Sequence, residues 1–207
     1  MVGKGEKQQK YIVHEQLLTT RSLFFKKAMS GDWIEAKERI VKLPEDDSSV
    51  FNIYIDLLYT NKITVIPDSG SGDATGGQEQ NIFACLKEQN SLASLYVLAE
   101  KLQDIDAKNK TLAAMVASAF EKRSDGVMYS PGPDTIRTIY EGTPPVCLLR
   151  KLLVDIYTSK ATDQWIEKCK DWPDEFMREL LISVLKKRER VSGLVDITDL
   201  TAYMESR

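Results

Sequence analysis

The 207-residue sequence predicts an α+β fold. Short runs of β-branched and aromatic residues punctuate the first third of the chain. The later segments keep the three-to-four-residue spacing of helices buried on one side. The composition, 43% hydrophobic and 29% charged, belongs to a globular protein and excludes a disordered or fibrous one.

Lys10-Tyr11-Ile12-Val13-His14 reads as a first strand. From Glu15 to Ser30 the period changes to that of a helix, with Leu18, Phe25 and Met29 on one stripe. Ser22 is placed to split this run into two short helices by acting as an N-cap, and Gly31-Asp32 ends it. Arg39-Ile40-Val41-Lys42-Leu43 is a second strand candidate, stopped by Pro44. A helix follows Glu45-Asp46-Asp47-Ser48-Ser49, entered through three or four candidate N-caps and two acids that suit its positive pole. Its apolar residues are too many for one narrow stripe, which predicts burial on most sides. Asn61 suits its C-terminus, and Ile63-Thr64-Val65-Ile66 is a third strand candidate. Residues 68–81 hold four glycines and no large apolar side chain, the composition of a flexible insert. Two clear helices come next, carried by Leu92, Leu95, Ala99 and Leu102 and then by Leu112, Met115, Val116, Ala119 and Phe120. Beyond a Ser/Pro/Gly-rich loop at 124–134, helical segments are expected at 135–140, 146–157 and 176–190.

Several function classes are disfavoured. The balance of 28 Lys+Arg against 31 Asp+Glu lacks the basic excess of a nucleic-acid binder. Charges interrupt every apolar run well before the roughly 20 residues that a membrane helix needs. Cys85, Cys147 and Cys169 are odd in number, far apart and free of any C-x-x-C pair, so they read as buried thiols in a reducing, intracellular compartment, cytoplasmic or nuclear. His14 is the single histidine, too few for a His-centred metal site, and reads as a structural hydrogen-bonding group. No G-x-S-x-G, P-loop or EF-hand pattern occurs. No catalytic, cofactor-binding or metal-binding residue is therefore assigned, and an undetected enzyme is the least favoured reading.

The stretch from Tyr11 to Ile63 resembles a BTB/POZ domain. The resemblance rests on Val13-His14 followed by Leu17-Leu18, Ser22-x-x-Phe25, the run ending in Leu43, Val50-Phe51 and Leu58-Tyr59-Thr60. Residues 95–109 are similar to a later helix of that family and the turn after it. The resemblance implies a domain over residues 1–122, a small mixed sheet capped by helices, with a helical C-terminal extension over 123–207. It also implies a strand ahead of Tyr11–His14, of which only Met1-Val2-Gly3 matches the end. The implied function is a non-catalytic protein–protein interaction module that associates with itself or with another BTB protein. A second reading is a substrate adaptor for a cullin-based ubiquitin ligase. The hydrophobic-x-Glu motif of cullin-binding members has no glutamate at Ala28-Met29-Ser30, and Trp33-Ile34-Glu35 carries the pattern several residues late, which argues against direct cullin binding.

Four residues are candidates for partner binding: Met29, Trp33, Ile34 and Glu35. Tryptophan is enriched at interface hot spots. The burial tendency of large aromatics favours instead a Trp33 packed across the helical hairpin. Lys186-Lys187-Arg188-Glu189-Arg190 reads as cations at a helix C-terminus rather than as a nuclear-import patch.

Overall fold

The computed structural model describes residues 1–64, 78–160, 162 and 171–187. Of these, 68% are helical and 2% lie in β-bridges. The helices are α1 (Glu15–Arg21), α2 (Leu23–Ala28), α3 (Ile34–Glu38), α4 (Ser48–Thr60), α5 (Gln78–Leu102), α6 (Ile105–Phe120), α7 (Pro133–Gly142), α8 (Leu148–Lys160) and α9 (Asp174–Lys187).

The expected α+β architecture is overturned, because no sheet forms among the described residues. Burial still alternates along both strand candidates. Tyr11 and Val13 are half-buried while Ile12 is exposed; Val41 is half-buried and Leu43 buried while Ile40 is exposed. The two segments nevertheless share no ladder. Val2 alone bridges them, antiparallel to Gln9 and parallel to Leu43. Period-2 alternation decides which side chains turn inward, but it does not supply the adjacent backbone that a ladder needs. Ile63 and Thr64 are non-regular, and Val65 and Ile66 lie outside the described residues, as does 68–77 of the expected insert. Residues 78–81, expected to belong to that insert, are the first turn of α5.

Local chemistry sets the helix boundaries. Ser22 ends α1 and caps α2 by accepting a hydrogen bond from Phe25 N at 3.2 Å, and its own hydroxyl donates to Leu102 O. One serine thus separates two helices and fastens the hairpin to α5. Asp47 caps α4 by accepting from Ser49 N at 2.6 Å. Asn61 closes α4 in the left-handed region at φ 59°, a conformation that asparagine tolerates well. The cations Lys186 and Lys187 close α9, where they favour its negative pole.

Helix α5, 25 residues long, is the spine of the molecule. Leu92, Ala93 and Tyr96 face one apolar cluster; Leu95, Leu98, Ala99 and Leu102 face another. At about 100° per residue these positions cover more than half of the helix circumference. The first cluster joins α5 and α6 to the C-terminal helices through Ile136, Ile139, Leu149, Leu153, Phe176 and Leu180. The helices beyond residue 123 therefore share a core with α5 and α6. Gly142 shows how tightly α7 approaches α5, since a Cβ there would lie 2.5 Å from Val97 Cγ1. Arg150, buried on α8, ties the end of α7 by donating Nε to Thr143 Oγ1 at 3.0 Å and Nη2 to Tyr140 O. The Tyr140 carbonyl, in the last turn of α7, lies beyond the reach of helical hydrogen bonds and needs such a donor.

The second cluster packs α2 and α4 against α5 through Phe25, Phe51, Tyr54, Leu57 and Leu58. Phe25 is 3% exposed, and its neighbour Lys26 is exposed. Phe25→Ala should cost about 3 kcal/mol, the low end for an aromatic truncation, because the space left opens into an adjacent groove. Lys26→Ala should stay within about 0.5 kcal/mol. Urea denaturation of both variants checks the register of α2, and equal midpoints would contradict it.

Candidate functional site

Two segments that alternate in burial without pairing define the most distinctive surface feature. Residues 10–13 form one wall and residues 39–42 the other, and between them lies a groove of about 680 Å³. Leu18, Phe25, Met29 and Phe51 lie along it, so the groove has apolar side chains beneath polar backbone rims. The backbone N–H groups of Tyr11, Ile12, Val13, Ile40, Val41 and Lys42 donate no hydrogen bond to any described residue.

Both walls are anchored. Tyr11 stacks edge-on against Phe51 at 4.9 Å, and its hydroxyl donates to Ser48 O at 2.9 Å, on α4. Burial, followed by the negative charge of Asp47, pushes the Tyr11 phenol above its ordinary pKa, so it remains a neutral donor. His14 fastens the far end of the same wall through Nδ1, 2.7 Å from the Tyr59 hydroxyl. This is the structural hydrogen-bonding role expected of the single histidine. Leu43 fixes the other wall, donating to Met1 O at 2.8 Å and accepting from Gly3 N at 3.0 Å.

The groove is bounded at two ends. At one end Val2 sits between the walls, exchanging hydrogen bonds with Gln9 at 2.9 and 2.8 Å. At the other end the Arg39 guanidinium meets Glu15 Oε2 at 2.7 Å and spans from wall to wall. Arg39 also leaves the helical region at φ 56°, which turns the chain out of α3 into the wall. Lys10 and Lys42 flank the Val2 end on opposite walls and carry no ion pair among the described residues. The Met1 amino group donates to Val41 O at 2.9 Å. Burial and the nearby Lys10 charge hold its pKa below the usual value.

The structure brings only one of the four sequence-derived candidates into this groove. Met29, the C-terminal cap of α2, lines it. Trp33, Ile34 and Glu35 belong to the start of α3, outside the lining. Trp33 is 67% exposed and Ile34 61%, while Glu35 is half-buried. The expectation that Trp33 packs across the hairpin is therefore overturned. Its place as the N-cap residue of a five-residue helix turns the indole to solvent. Sequence reasoning missed Ile12 and Ile40, exposed by 90% and 41% on opposite rims. The period-2 alternation of each segment already pointed them to the same side, but nothing local shows that the two segments flank one groove.

Cys85 and Cys147 are free and buried, and Cys169 lies outside the described residues. Among the described residues no group of three or more His, Cys, Asp or Glu side chains is placed to hold a metal ion. None of the described helices is long and apolar enough to cross a membrane. No protein-family model, no curated protein and no solved structure matches this chain.

Proposed function

We propose that the chain is a non-catalytic protein–protein interaction module, the role implied by its sequence resemblance to BTB/POZ domains. The observation that carries this reading is the exposure of large apolar side chains around α3 and the groove: Trp33, Ile34, Ile40 and Ile12. A lone exposed apolar residue needs no explanation, but several of this size over one stretch of the chain mark an interaction surface. The apolar groove with unpaired backbone rims supports the same reading. The partner is a second copy of this chain or another protein, in the cytoplasm or nucleus, where Cys85 and Cys147 stay reduced. Direct cullin binding is not part of the reading, because Met29 is half-buried in the groove and Ser30 stands where a glutamate is needed.

Trp33→Ala combined with Ile34→Ala tests the proposal. Both side chains are exposed, so stability should change by no more than about 0.5 kcal/mol. Self-association measured by sedimentation, or retention of proteins captured from a lysate, should fall at least about tenfold, as expected when an aromatic anchor is removed. A chain that stays monomeric at high concentration, and captures nothing that the double variant fails to capture, would overturn the reading.

A further inference from the structure

We propose that a second copy of this chain docks on the outer face of α9 and the adjoining start of α8, with the two α9 helices packed antiparallel about a two-fold axis. The inference rests on the interaction-module reading. It gives the second copy a surface of its own and leaves the exposed α3 residues for a different protein.

Helix α9 is apolar on two sides. Phe176 and Leu180 are buried in the first cluster. At about 100° per residue, Leu181, Ile182, Val184 and Leu185 spread over the side turned away from that cluster. All four are exposed, Leu181 by 59% and Leu185 by 54%. A helix that is hydrophobic all round belongs in an enclosed position. Among the described residues only one side of α9 is enclosed.

The neighbouring helix completes the face. Arg150 Nη1 meets Glu175 Oε2 at 2.9 Å, and further along both helices the Thr158 hydroxyl donates to Ser183 Oγ at 2.9 Å, so α8 and α9 run parallel. The start of α8 therefore lies beside the start of α9. Val146, 96% exposed, and Leu148, also exposed, stand there. They line a groove of about 430 Å³ that runs between the two helices to Ile182 and Lys186. The outward apolar residues of α9 itself all lie in its C-terminal half. Beside its N-terminal half the apolar surface comes instead from Val146 and Leu148. An antiparallel pairing centred near Leu181 lays each half on the other. Ile182 and Leu185 of one copy then come over Val146 and Leu148 of the second copy, and the same contacts repeat about the axis.

Charge and area agree with that occupant. Asp174 and Glu175 open α9, and Lys186 and Lys187 close it. Antiparallel packing sets the acids of one copy against the cations of the other at both ends, whereas a parallel pairing sets like against like. The helix dipoles are also opposed favourably. The exposed side chains of α9, with Val146 and Leu148, offer on the order of 500 Å² of aliphatic surface, near the upper end of what a monomer leaves bare in one patch. An ordinary stable interface takes roughly 800 Å² from each partner, of which about two thirds is apolar in homodimers. The α8–α9 face supplies that share.

Sedimentation velocity of the full chain tests the inference. A concentration-dependent dimer is expected, with a dissociation constant on the order of 10 µM. Leu185→Asp puts a charge into the exposed face and leaves the core untouched, so the circular dichroism should not change while the dissociation constant rises about tenfold or more. Asp174→Lys and Lys187→Glu should each weaken self-association by about threefold or more. An equimolar mixture of these two variants should associate about threefold more tightly than either alone, read by energy transfer between differently labelled chains, because one end of each hetero-pair keeps the native charges and the other carries them exchanged. A mixture no tighter than its components would overturn the antiparallel pairing. A wild-type chain that stays monomeric at high concentration, and that Leu185→Asp unfolds, would show the face to be enclosed within the chain itself and would overturn the inference. Self-association that survives Leu185→Asp but is lost in the Trp33→Ala, Ile34→Ala chain would move the second copy to α3, removing this inference and leaving the proposed function standing. A monomer that captures no partner through Trp33 and Ile34 either would remove the two together.

Discussion

Asp104→Ala is expected to cost about 3–5 kcal/mol, the range for breaking a buried charged network by removing one partner. The carboxylate is fully buried and fastens three elements together. It caps α6 by accepting from Ala107 N at 2.9 Å. The same group accepts from the Tyr54 hydroxyl of α4 at 3.1 Å and faces Arg21 Nε of α1 at 3.4 Å. Removing it strips the cap, worth about 1 kcal/mol by itself, and leaves the Tyr54 hydroxyl and the Arg21 side chain without their buried acceptor. Asp104→Asn should recover part of the loss, since its amide oxygen still accepts from Ala107 N. Tyr54→Phe should cost less than Asp104→Ala, because the carboxylate then keeps its cap and its cation. Denaturant midpoints of the three variants give the order. If Asp104→Ala costs no more than an ordinary cap, the coupling between α1, α4 and α6 does not run through this residue.

That network also marks where sequence reading stops. Local chemistry was legible: Ser22 dividing α1 from α2, a cap among the acidic and serine residues before α4, the end of α4 at Asn61, and the spacing of Leu92, Leu95, Ala99 and Leu102 along α5. Each depends on residues within a few positions of one another. Tyr54 and Asp104 are fifty residues apart, and no local pattern pairs them. The sheet failed for the same kind of reason. Both runs were read as strands from their composition, and their side chains do alternate in burial, but pairing depends on what lies between the segments, and only Val2 does. Among the candidate site residues, Met29 was named from the aligned position of the cullin-binding motif, whereas its helical stripe with Leu18 and Phe25 was read only as packing; all three line the groove. Ile12 and Ile40 were invisible because their significance lies in facing each other across it. Trp33 was misjudged because an average burial tendency says nothing about a residue at the tip of a short helix.

Raising the pH above about 10 should unfold the protein steeply. Tyr54, Tyr96 and Tyr140 are all buried. Burial is the largest cause raising each phenol well above the ordinary tyrosine range. The negative Asp104 adds to it at Tyr54, the Cys147 thiol at Tyr96, and the hydrogen bond to Glu179 at Tyr140. The sign follows from proton counting. Below the unfolded value of about 10, both states hold the phenolic protons and stability is unaffected. Above it, the unfolded chain releases them while the native state keeps them, so stability falls as pH rises. Each group contributes about 1.4 kcal/mol per pH unit, and the three together about 4, until the native phenols ionise as well. Urea midpoints measured across this range, alongside the ultraviolet absorbance of tyrosinate, should show ionisation of the buried phenols coinciding with loss of helix. Replacing all three by phenylalanine should flatten the slope, even though Tyr54→Phe lowers stability at neutral pH. Complete ionisation of every tyrosine in a chain that keeps its helical signal would show that these three phenols are open to solvent, and the two apolar clusters that enclose them would then be wrongly drawn.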